Sequence, residues 1–119
     1  MNTTTIIGNL TRDPEFKTVV KDGVELNVLN FTVASDYKDS AGQKQTTYTR
    51  AALWQEKAQL AKASLKKGSF VKIVGATRPD QFTDKDGNAR VAMSMHGTKL
   101  AVWHEDNPEA KVTRGWTFI

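Results

Sequence analysis

The stretch Tyr48-Thr49-Arg50-Ala51-Ala52-Leu53-Trp54 sets two aromatic rings and a guanidinium at alternate positions. In an extended strand, alternate side chains share a face. Tyr48, Arg50, Ala52 and Trp54 are therefore expected on one side, and Thr49, Ala51 and Leu53 on the other. An aromatic–cation–aromatic row on an open sheet face suits a single nucleic-acid strand, because bases stack on the rings and the guanidinium meets phosphate. Tyr and Trp also favour strands for packing alone, so the row acquires meaning only beside the rest of the chain.

Other chemistries find little support. The 119 residues include no cysteine, which excludes disulfides and thiol catalysis. The two histidines, His96 and His104, stand apart from further ligands at metal spacing, so no metal site is expected. No Ser/His/Asp, Cys/His or paired-carboxylate set is visible, and the glycines form no phosphate-cradling motif. The sequence is read as a non-enzyme that needs no cofactor. No apolar run approaches membrane length and no signal-peptide pattern opens the chain, so a cytoplasmic protein is expected. The net charge of +4 permits a polyanionic partner. Residues 1–103 are the more basic part, because Glu105, Asp106 and Glu109 outnumber Lys111 and Arg114 after them.

The length fits one domain with one core. Thr3 to Leu10 reads as a strand that Asp13-Pro14 interrupts, and Glu15 to Val20 resumes it. Lys21-Asp22-Gly23 is a tight turn. Leu29, Phe31 and Val33 alternate with polar neighbours, and Asp36 to Thr46 reads as a polar loop. After the strand ending at Trp54 the period becomes helical. Ala58, Ala61 and Leu65 recur at helix spacing, Lys66-Lys67 close the last turn, and Gly68 is the stop. Phe70 to Thr77 and Ala89 to Trp103 are strands around a hairpin tip at Asp84–Asn88. The expected class is all-β with one helix. The order matches an OB-fold, a five-stranded Greek-key barrel with the helix between strands 3 and 4. Residues 1–103 would form this domain and 104–119 a short C-terminal tail.

Residues 1 to about 103 resemble the bacterial-type single-stranded DNA-binding proteins. The likeness is carried by Gly8-Asn9-Leu10 with Asp13-Pro14-Glu15, by Asn30-Phe31-Thr32-Val33-Ala34, and by Tyr48-Thr49-Arg50 leading to Leu53-Trp54. Leu65-Lys66-Lys67-Gly68-Ser69, Val74-Gly75, Arg78, Phe82-Thr83-Asp84 and Gly87 continue it. The resemblance implies base stacking on Tyr37, Tyr48, Trp54 and Phe82. It implies phosphate contacts from Arg12, Arg50, Lys66, Lys67, Arg78 and Arg90. It further implies a homo-oligomer, dimer or tetramer, associated with the nucleoid in DNA replication, recombination or repair. Members usually end in an acidic tip that recruits replication and repair proteins. Here Thr113-Arg114-Gly115 precede Trp116 and Phe118. Thr49 stands where several members carry a tetramer-supporting histidine. The tail is expected either to dock on the barrel or a partner, or to be a disordered end.

Sequence-independent binding of single-stranded DNA is the leading expectation. The alternatives are a dimeric primosomal-type adaptor of the same fold, which binds DNA weakly and docks replication proteins, and an oligosaccharide or RNA binder.

Overall fold

A computed structural model describes residues 2–119. Seven strands and one helix follow the order β1 (Thr4–Leu10), β2 (Glu15–Lys21), β3 (Val24–Lys38), β4 (Lys44–Trp54), α1 (Glu56–Lys62), β5 (Phe70–Thr83), β6 (Ala89–His104) and β7 (Gly115–Phe118). The fold is mostly β with one helix. Its sheet runs β1-β5-β6-β4-β3-β2, and a further pairing of β1 with β3 closes it into a ring. Five strands make the ring, while β2 extends β3 and β7 adds to β6.

Seven strands stand where the sequence reading counted five. The Asp13-Pro14 break creates a separate strand, β2, which folds back on β3 through the Asp22-Gly23 turn, both residues at positive φ. The other addition, β7, lies where the sequence shows no period.

Ring closure depends on two close backbone approaches. A Cβ at Gly8 would collide with the carbonyl oxygen of Ala34, where β1 crosses onto β3. One at Gly75 would strike the carbonyl oxygen of His96, beside the register shift at Val74/Gly75. Only glycine permits the backbones to meet there. Inside the ring, Leu29, Val33, Leu53, Val71, Ile73 and Leu100 are fully buried.

Helix α1 adds Ala58 and Ala61 to this core and ends at Lys62. It is shorter than its periodicity suggests. Leu65 still reaches the core, but from the turn that follows, and Lys66 and Lys67 lie outside the helix. The supposed loop over Asp36–Thr46 is largely strand. Here β3 and β4 run on past the barrel as an exposed arm, turned at Asp39, whose carboxylate accepts from the Ala41 and Gln43 N–H groups. The β5–β6 hairpin forms a second arm. The radius of gyration of 16.0 Å exceeds the roughly 13.5 Å of a compact chain this long, as two projecting arms require.

The tail is ordered on the barrel. β7 pairs antiparallel with Ala101–His104 of β6, and the Ile119 N–H donates to the Leu100 carbonyl. Trp116 stacks on Phe70 with ring centres 5.6 Å apart and meets Trp103 edge-on at 5.4 Å. Phe118 is 73% exposed, so the two rings do not act as one docked patch. No helix among the described residues is long and apolar enough to cross a membrane.

Candidate nucleic-acid interface

Strand β4 carries the alternation its sequence implies. Thr49, Ala51 and Leu53 are buried, whereas Tyr48 and Arg50 are exposed and Ala52 and Trp54 half-exposed on the outer face. Pairing then fixes what stands beside them. Thr32 of β3 and Ser94 of β6 flank Arg50, and Ser94 in turn pairs with Arg78 of β5. One step along, Asn30, Ala52, His96 and Ala76 form a parallel row. Four strands thus present one continuous outer face.

Arg50 is its centre. It lines three adjoining concavities. The first also holds Trp54, Arg78 and His96. Arg12 lines the other two, one of them with Tyr48 and Phe82. The Arg50 guanidinium carbon lies 4.9 Å from the centre of the Phe82 ring, so the β5–β6 arm leans over the face and holds ring and charge together. None of Arg12, Arg50 and Arg78 forms an ion pair among the described residues. Their charge faces solvent, free for an anion.

The remaining expected residues lie elsewhere. Tyr37 is on the exposed β3–β4 arm, opposite Gln45, and its alternation puts it on the other face from Tyr48. Arg90 lies across from Phe82, but its Nε is 2.8 Å from Asp84 Oδ2. That contact, with the Asn88 and Asp86 N–H groups, holds the Asp84 carboxyl below its usual range. Lys66 and Lys67 line a separate concavity with Phe70, Trp103 and Ile119. The Lys67 N–H donates to Asp13 Oδ1. The structure therefore gathers Arg12, Tyr48, Arg50, Trp54, Arg78 and Phe82, and leaves Tyr37, Lys66, Lys67 and Arg90 outside that group.

Sequence reasoning missed Asn30, Asp80, Ser94 and His96 on the same face. For Ser94 and His96 the signal was weak, because β6 announces itself by Val91, Met93 and Met95, the opposite set of alternate residues.

A family model described as the single-strand binding protein family matches residues 1–102. The chain belongs to that family. Among its relatives is a single-stranded DNA-binding protein of Deinococcus radiodurans. The two are 36% identical over 84% of this chain and 33% of the relative. Another, from Paenarthrobacter aurescens, is 32% identical over 78% of this chain and 56% of its own. Single-stranded DNA-binding protein 2 of Clostridium acetobutylicum is 28% identical over 90% and 81%. The chain thus spans about a third of the first relative's length and just over half of the second's. The matched span takes in the ring strands up to the last two residues of β6, and the whole Arg50 face.

Proposed function

We propose that this protein binds single-stranded DNA without regard to sequence, in replication, recombination or repair. The observation that carries this reading is the Arg50 guanidinium over the Phe82 ring, unpaired with any carboxylate among the described residues and flanked by exposed Tyr48. Bases stack on Tyr48, Phe82 and the open side of Trp54, while Arg12, Arg50 and Arg78 meet phosphates. Tyr37, Lys66, Lys67 and Arg90 contribute as the strand leaves the central face along the arms and past the helix. The names of the relatives support the same ligand. The closed five-strand ring supports an OB-fold with Greek-key order, its helix between the third and fourth ring strands. We take residues 1–103 as the binding domain and 104–119 as the tail. The binding face favours this reading over the adaptor, and the protein works as a non-enzyme without cofactor, in the cytoplasm at the nucleoid.

Unpaired bases alone expose the faces that rings need. The expected result is tighter binding to oligo(dT) than to duplex of equal length by about tenfold or more, the value of one stacked base. Affinity should fall with salt as phosphate counterions are released, with a log–log slope of about −0.7 per phosphate contact. Quenching of tryptophan fluorescence measures both. Equal affinity for duplex and single strand rejects the reading.

We further propose a homo-oligomer, dimer or tetramer, joined through β1. One edge of β1 is filled by β5, while the other meets β3 from Gly8 to Leu10, leaving Thr4–Ile7 without a strand partner on that edge among the described residues, apart from the Ile7 carbonyl, which accepts from Ser35 Oγ. Such an edge is a template for strand pairing. Light scattering should give a mass of two or four chains at micromolar concentration, and a monomer there discards the idea.

A further inference from the structure

We propose that Asp80 reads the edge of the base stacked at Tyr48, and that it favours bases carrying an amino group over thymine. The proposal rests on the single-strand reading above and adds to it a base preference at one position.

Ala34 of β3 pairs with Tyr48 of β4. The parallel register Thr49↔Met93 sets Ala92 of β6 beside Tyr48 one step earlier, and Ala92 pairs with Asp80 of β5. Tyr48 and Ala92 line the same open concavity as Arg50 and Phe82. The two alanines leave space around the Tyr48 ring. A base laid on that ring covers Ala92, and its edge then points along the row to Asp80.

Asp80 is held for that task. It is half-buried, and the Ser94 hydroxyl donates to its Oδ2. Its other oxygen, Oδ1, has no hydrogen-bond partner in the protein among the described residues. Arg78 shares its strand face two residues away, and Arg50 lies across Ser94. Neither forms an ion pair with it. An ionised carboxylate only accepts hydrogen bonds, and it repels phosphate. What satisfies it in a DNA groove is a donor on a base edge. Cytosine offers its N4 amino group, to which acidic side chains pair in DNA recognition. Thymine presents carbonyl oxygens on either side of its N3–H, and these face the carboxylate lone pairs unfavourably.

The test uses the full chain and oligo(dC) and oligo(dT) of about 15 nucleotides, within the site size of one such barrel. Intrinsic fluorescence gives both affinities at one salt concentration. Because the two polymers differ in flexibility, the quantity read is the change in the dC-to-dT affinity ratio on substitution. Asp80→Ala should lower that ratio about fivefold, the worth of one hydrogen bond. Ser94→Ala, which lets the carboxylate rotate away, should lower it by a smaller factor and carries the test if Asp80→Ala does not fold. Equal tightening of both polymers in Asp80→Ala would mean that the carboxylate only repels phosphate, and would overturn the proposal. So would a ratio unchanged in both variants. If the unsubstituted protein binds neither polymer, the single-strand reading itself fails. If it binds both and the ratio does not move, the assignment of Asp80 alone fails.

Discussion

Arg50→Ala is expected to weaken binding to single-stranded DNA by about tenfold to a hundredfold, with the melting temperature unchanged. A hydrogen bond from a charged donor contributes about 1.5–3 kcal/mol. Arg50 alone borders all three concavities of the face, so its loss touches the whole DNA path. It also leaves the Phe82 ring without the cation that holds it against the barrel. Stability should be spared, because Arg50 is exposed and makes no ion pair among the described residues. The salt slope should shrink by about 0.7 if a single phosphate contact is lost. Tyr48→Ala is the companion variant. Its ring is 59% exposed, so its removal should cost affinity of about 1–3 kcal/mol and little stability. Trp54→Ala should cost both, because Trp54 is half-buried. Fluorescence titration beside thermal melts separates the cases. A melting temperature that falls steeply for Arg50→Ala or Tyr48→Ala would show that these side chains hold the barrel together instead of facing the ligand.

The β4 row was legible because a strand inside a barrel has one wet face and one dry one. Apolar and polar residues then alternate, and Thr49, Ala51 and Leu53 mark the dry side without ambiguity. The same rule misleads once a strand leaves the barrel. In β6, Met95 is buried while Val91, with the same parity, is 64% exposed, because residues 89–92 lie beyond the pairing with β4, on an arm with solvent on both sides. Tyr37 was grouped with Tyr48 through the family resemblance, yet the register of β3 with β4 sets them on opposite faces. Lys66 and Lys67 were expected to close the last turn of the helix. The chain leaves the helix at Lys62, and the turn that follows is pinned to the end of β1, where the Leu10 N–H donates to the Ser69 carbonyl and the Gly68 N–H to the Leu10 carbonyl. Asp80 and Ser94 lie 14 residues apart and meet only through the β5–β6 pairing. No local pattern encodes such a meeting.

The tail carries the largest expected effect on stability. Removing residues 112–119 should lower the melting temperature by about 10 °C or more, corresponding to roughly 3 kcal/mol. The deletion strips four ladder residues from β6 and takes Ile119 from the core margin. It also removes Trp116, whose two aromatic contacts are each worth about 0.5–1.5 kcal/mol beyond their buried area. Lys72, whose ammonium lies 5.4 Å from the Trp116 ring centre, loses that neighbour as well. Two point variants locate the effect. Trp116→Ala should reproduce much of the loss, because the ring fills the gap between Phe70 and Trp103. Phe118→Ala should stay within about 0.5 kcal/mol of the parent, as expected for a side chain left mostly in water. The opposite pattern has a distinct signature. A mobile tail that competes with DNA for the basic face would, on removal, leave the melting temperature where it was and tighten the binding of oligo(dT). With β7 hydrogen-bonded to β6 well away from Arg50, truncation should instead destabilise the barrel and leave affinity per folded molecule unchanged.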